Sequence, residues 1–146
     1  MGGWIGGKPY FKDVVKTADE TVNNSNVLQD DDELEFYMEA NSFYYFELIL
    51  YLYTWAASDW KMKWDGPAGI AGYTKSDDEN YQVATPNSAA KVITSAGDGY
   101  GLLHLKAYMW TAAAAGIIKL QWAQNTAVAE NTVVKAGSFL RYRKIA

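Results

Sequence analysis

SFYYFELILYLYTW, Ser42 to Trp55, carries a single charge, Glu47, in a run otherwise made almost wholly of aromatic, Leu and Ile side chains. A membrane helix needs about 20 predominantly apolar residues; this run is shorter, and Asp59, Lys61 and Lys63 follow it closely. Aromatic and β-branched residues favour extended chain over helix, so the stretch reads as a strand. With a period of two, Tyr44, Phe46, Leu48, Leu50 and Leu52 form an unbroken apolar face, and Phe43, Tyr45, Glu47, Ile49, Tyr51, Tyr53 and Trp55 form the other. One face of an antiparallel sheet commonly meets water and reads polar, but here both faces want cover. Aromatic residues are enriched at protein interfaces, so the second face reads as a subunit contact lined by Tyr45, Ile49, Tyr51 and Tyr53. The alternative is cover by a loop of the same chain, with GPAGIAGYTKSDDENY (Gly66 to Tyr81) as the candidate.

At 146 residues the chain suits one core-bearing domain rather than two. Hydrophobic residues make up 49% and aromatic residues 15%, which separates it from disordered chains. The net charge is −4 and the basic residues are scattered apart from Arg141, Arg143 and Lys144, so no direct nucleic-acid partner is expected. The absence of cysteine excludes disulfides, thiolate metal sites and a cysteine nucleophile. MGGWIGGKPYFK lacks the basic and continuous apolar regions of a signal peptide, and the expectation is a protein assembled in cytoplasm with no membrane partner. This Gly-rich segment, residues 1–12, reads as an arm whose Trp4, Ile5, Tyr10 and Phe11 dock on a neighbour, the alternative being a loose terminus. Residues 13–146 then form the folded domain.

Alternation recurs on both sides of the opening stretch. ELEFYME (Glu33 to Glu39) sets Leu34, Phe36 and Met38 against Glu33, Glu35, Tyr37 and Glu39, and DWKMKWD (Asp59 to Asp65) points Trp60, Met62 and Trp64 inward. Asn41 and Ser42 turn the chain between strands, TVNNSNVLQDDDE reads as an acidic connection, and Gly66 to Ala90 reads as loop. DVVKT, AKVITS, LLHLKAYMWT, GIIKLQWAQN, NTVV and SFLRYRKI supply the remaining strands. About eight or nine antiparallel strands without a helical period give an all-β chain, a jelly-roll or other two-sheet β-sandwich.

Two blocks, VVKTADETVNNSNVLQDDDELEFYMEANSFYYFEL (Val14 to Leu48) and LQWAQNTAVAENTVVKAGSFLRYRKI (Leu120 to Ile145), resemble a family of small virion structural proteins of tailed bacteriophages. That resemblance implies a tumour-necrosis-factor-like jelly roll assembled as a homotrimer. It implies a place on the outer surface of the head, as decoration or cement bound to the major capsid protein or another virion protein. A tail or appendage module that binds a host receptor or glycan is the alternative. The family brings no enzymatic motif and no cofactor. Cyclic closure of three copies is also one economical way to hide a strand that is apolar on both faces.

His104, the only histidine, shares a strand face with Lys106, Tyr108 and Trp110, and it reads as an ordinary strand residue because a triad needs partners that sequence does not place. The acidic runs Asp30 to Glu33 and Ser76 to Glu79 lack the spaced ligands of a calcium loop; they read as solvated turn formers, and no metal is expected. Trp55, Tyr73, Tyr81 and Tyr100 fall in turns or loops and are the candidates for stacking on a glycan or contacting a partner.

Overall fold

The protein is described from a computed structural model, which describes residues 10–76, 90–93 and 98–146. Trp4, Ile5, Tyr81 and the acids Asp77 to Glu79 lie outside the described residues. Eleven strands run through them: β1 (Lys12–Val15), β2 (Glu20–Val22), β3 (Gln29–Met38), β4 (Phe43–Thr54), β5 (Trp60–Asp65), β6 (Ala71–Ser76), β7 (Lys91–Ile93), β8 (Gly99–Trp110), β9 (Gly116–Gln124), β10 (Thr132–Val134) and β11 (Phe139–Lys144).

The opening stretch is β4, the centre of a seven-stranded antiparallel sheet. β8 pairs with it along its full length, from Phe43↔Trp110 to Thr54↔Gly99. Its other edge is shared end to end by β11 and β10, which in turn pair with β1 and β2, while β6 lies beyond β8. The second sheet has the order β3-β9-β5-β7. With β2, β6 and β10 set aside, β1-β11-β4-β8 faces β3-β9-β5-β7, the jelly-roll arrangement of interleaved Greek keys. Asn24, Asn41 and Asp59 adopt positive φ at the turns, a conformation that Asn and Asp tolerate best after Gly.

The core lies between the sheets and follows the alternation. Tyr44, Phe46, Leu48, Leu50 and Leu52 of β4 are buried against Trp60, Met62 and Trp64 of β5 and Leu34, Phe36 and Met38 of β3. Phe46 meets Phe36 and Trp64 edge-on, each at 5.1 Å between centroids. The buried Trp64 indole donates to Thr74 Oγ1 at 3.0 Å, so the ring is packed without leaving a polar atom unsatisfied.

Eleven strands replace the expected eight or nine because two were hidden. β2 lies in the stretch read as acidic connection, and β6 lies in the stretch read as loop. The inward side chains of β6 are Gly72, Thr74 and Ser76, which give no apolar alternation; backbone pairing with β8 holds the strand. Gly72, at φ 151°, permits that closeness, since a Cβ there would sit 2.3 Å from the Tyr108 carbonyl oxygen. β6 therefore widens the sheet at its edge, so the Ala71–Ser76 part of the segment read as possible cover pairs beside β8 instead of lying over β4, and residues 77–81 lie outside the described residues. The acidic run is corrected as well: Asp31 is buried, because the ladder of β3 with β9 shifts register between Asp30 and Glu35. A bulge of this kind turns a side chain to the opposite face.

Candidate functional site

Cross-strand register arranges the outer face of the large sheet in rows. Trp110 sits opposite Phe43, and in the next row Tyr73, Tyr108, Tyr45 and Arg143 lie side by side on four strands. A charged row follows, of Lys75, Lys106, Glu47, Arg141 and Asp13. Beyond it come His104, Ile49, Phe139 and Val15, then Leu102 with Tyr51, then Tyr100 with Tyr53 and Val133. Two aromatic groups thus flank a belt of charge. In one, Phe43, Tyr73 and Tyr108 gather around Trp110 at 6.0–6.2 Å; in the other, Tyr100 lies 5.5 Å from Tyr51 and 4.8 Å from Tyr53.

Exposure is high on this face. Leu102 keeps 78% of its surface in solvent, Tyr100 65% and Tyr73 55%, whereas large apolar groups gathered in one patch mark an interaction site. In the belt, the Tyr45 hydroxyl donates to Glu47 Oε1 at 2.7 Å and His104 Nε2 lies 3.6 Å from Glu47 Oε2. Arg141 Nε donates to Asp13 Oδ1 at 3.3 Å.

The expected contact residues Tyr45, Ile49, Tyr51 and Tyr53 all lie on this face, Tyr51 exposed and the others half-buried by their neighbours. Phe11 of the arm packs on Tyr45 of its own chain at 6.1 Å, with the Arg141 and Arg143 guanidinium groups each 5.3 Å from its ring. Tyr10 lies apart from it, in the wall of a groove. Two of the expected loop aromatics belong to the sheet instead, Tyr73 in β6 and Tyr100 in β8, whereas Trp55 lies in the turn after β4 and meets Tyr53 at 5.9 Å. Tyr73 joins the Trp110 group and Trp55 the Tyr53 group, so they do not form one cluster.

The groove, about 450 Å³, runs along the open side of the sandwich where β1 and β11 approach β3. Tyr10, Tyr37 and Tyr142 line it together with Lys12 and Lys144. Lys144 pairs with Glu39, and Tyr142 stacks on Phe36 at 4.0 Å.

A second site was not anticipated from the sequence. Lys16, immediately after β1, is buried with its Nζ 3.0 and 3.1 Å from the two oxygens of Asp31 and 3.7 Å from Glu20 Oε2. Asp31 Oδ1 also accepts the backbone N–H groups of Glu33 at 3.0 Å and Leu34 at 2.9 Å. The Trp122 indole donates both to Asp31 Oδ2 at 3.1 Å and to Glu20 Oε2 at 3.0 Å, and the Asp32 N–H donates to Glu20 Oε1 at 3.0 Å. Burial pushes the Asp31 carboxyl up, but the two backbone donors and Lys16 outweigh it and hold it below the usual carboxylate range. For Glu20, burial comes first, then Asp32 and the charge of Asp31, and together they raise it to about 7. A protonated Glu20 leaves one cation and one anion in the interior, the balance a buried site requires.

No protein-family model and no curated protein matches this chain.

Proposed function

We propose that this chain is a structural protein that acts by assembly rather than by chemistry: a homotrimer joined through the outer face of its large sheet, decorating or cementing a phage capsid. The observation that carries the reading is the exposed aromatic face on both sides of the charged belt. The exposed parts of Phe43, Tyr51, Tyr73, Tyr100, Leu102 and Tyr108 amount to about 600 Å² per copy, close to the roughly 800 Å² per partner of a standard interface. Opposed charges in the belt would fix the register between copies. Attachment to a shell follows mass action, stabilising the bound form, and three linked copies add avidity. The virion setting rests on the resemblance carried by Val14 to Leu48 and Leu120 to Ile145.

The test is the solution mass by light scattering after size exclusion. Three times the chain mass supports the trimer, and a monomer at high concentration refutes it. A second reading, an appendage module that binds a receptor glycan, draws on the groove, which Tyr10, Tyr37, Tyr44 and Tyr142 line together with Lys12. Saturable binding of glycans by a monomer would move that reading ahead.

A further inference from the structure

We propose that Lys16 and Asp31 condense into an intramolecular isopeptide bond, Nζ to Cγ, with Glu20 relaying the protons. Three features of the buried cluster point to it. The amine nitrogen and the carboxyl oxygens are held at 3.0 and 3.1 Å by side chains 1% and 0% exposed, which replaces a bimolecular encounter with a fixed approach. Two backbone N–H groups, from Glu33 and Leu34, converge on Asp31 Oδ1, a ready oxyanion hole. Glu20 lies 3.7 Å from Lys16 Nζ and shares the Trp122 indole donor with Asp31 Oδ2, so one acid sits beside the nucleophile and on the same donor as the leaving oxygen.

The steps balance without an oxidant or cofactor. One proton passes from the Lys16 ammonium to Asp31 Oδ2, so the buried ion pair reacts through its minor neutral form, a free amine and a carboxylic acid, whose cost a water-poor site reduces. The amine lone pair attacks Cγ, and the carbonyl π pair moves onto Oδ1, where the Glu33 and Leu34 N–H groups hold the developing charge. Glu20 in its acid form, the form its raised pKa supplies near neutrality, gives its proton to the Oδ2 hydroxyl. The Cγ–Oδ2 bond breaks and water leaves. The carboxylate of Glu20 then takes a proton from the new C–N nitrogen, which regenerates the acid and leaves a secondary amide.

The product ties the end of β1, an edge strand of one sheet, to β3, the edge strand of the other. A covalent staple there closes the side of the sandwich on which the groove opens, in a chain that has no cysteine to make a disulfide.

The experiment is the intact mass of the full-length protein, followed by digestion at glutamates, which cuts after Glu20 between the two residues. The expected result is a mass lower than the sequence value by one water, with the fragments containing Lys16 and Asp31 still joined. Lys16→Arg and Asp31→Ala should restore the full mass, and Glu20→Gln should slow bond formation by about a hundredfold or more while circular dichroism stays native. A wild-type protein at the full sequence mass with separate fragments overturns the proposal. So does a water loss that persists in Lys16→Arg, which would belong to an aspartyl succinimide such as Asp65–Gly66 or Asp98–Gly99. Wild-type kinetics in Glu20→Gln would overturn the relay assigned to that residue.

Discussion

Leu102→Asp separates assembly from folding more cleanly than any other change on the outer face. Leu102 already spends 78% of its surface in water and sits opposite Tyr51 at a non-core position of β8. A carboxylate there has little to lose in the isolated chain, where surface substitutions typically stay within about 0.5 kcal/mol. In the proposed trimer the same site is covered. Losing most of a buried leucine costs about 2 kcal/mol, and enclosing an unpaired charge adds several more. A combined cost of about 4 kcal/mol weakens each contact roughly a thousandfold. Light scattering on a dilution series should therefore show the variant as a monomer at concentrations where the wild type remains assembled, with identical thermal unfolding of the monomeric form. A variant that keeps the wild-type mass through the dilution would refute the placement of the contact. One that unfolds would refute the claim that Leu102 carries no load in the fold.

Other expectations follow from features away from that face. Glu20 is raised from 4.5 to about 7 by burial, so the folded protein keeps a proton that the unfolded chain releases. Its contribution is complete below pH 4.5 and is lost as pH climbs through about 7, by at most about 3 kcal/mol and by less where solvent screens the site; urea midpoints should fall over that window in the wild type and stay flatter in Glu20→Gln, and parallel profiles would count against the buried acid. In protein where Lys16 and Asp31 are not joined, Asp31 is lowered, so its opposite dependence falls at more acidic pH. Gly72→Ala should detach β6 from β8 and cost roughly 2–4 kcal/mol, since the new Cβ meets backbone at 2.3 Å; an unchanged denaturation midpoint would rule out the close pairing. Deleting residues 1–9 spares Phe11 and β1, so the truncated protein should keep its fold and mass but co-sediment less with capsid shells, and undiminished co-sedimentation would remove the arm from the binding scheme.

The sequence was most informative where the physics is local. The even and odd halves of β4 separate into core and outer face as the alternation requires, and Trp60, Met62 and Trp64 are inward for the same reason. β6 escaped notice because its buried positions are glycine, threonine and serine, and its existence depends on an edge that β8 provides. The charge cluster had half a signal. Lys16 has the same parity as Val14, the less exposed valine of β1, but Asp31 has the parity of the outward Glu33 and Tyr37, and only the register shift turns it inward. Its indole partner, Trp122, is 91 residues away, beyond the reach of any local pattern. The outer face was legible as β4 residues alone; Tyr73, Tyr108, Leu102 and Trp110 join it only through pairing register.

The position of β4 also governs how the molecule is made. It is the most apolar strand of the chain, yet its ladder partners β8, β10 and β11 all follow it, the nearest beginning at Gly99. At a synthesis rate of about 5–20 residues per second, the stretch from Thr54 to Trp110 takes roughly 3–11 s to emerge. During that interval a nascent chain carries a twelve-residue strand with both edges open, the configuration that recruits other strands into aggregates. Final closure then requires pairing distant segments, which is slow in any topology of high contact order. Chaperone occupancy on translating ribosomes should accordingly peak while β4 is exposed and fall once Trp110 has cleared the exit tunnel, which makes yield in the cell a matter of translation timing as much as of final stability.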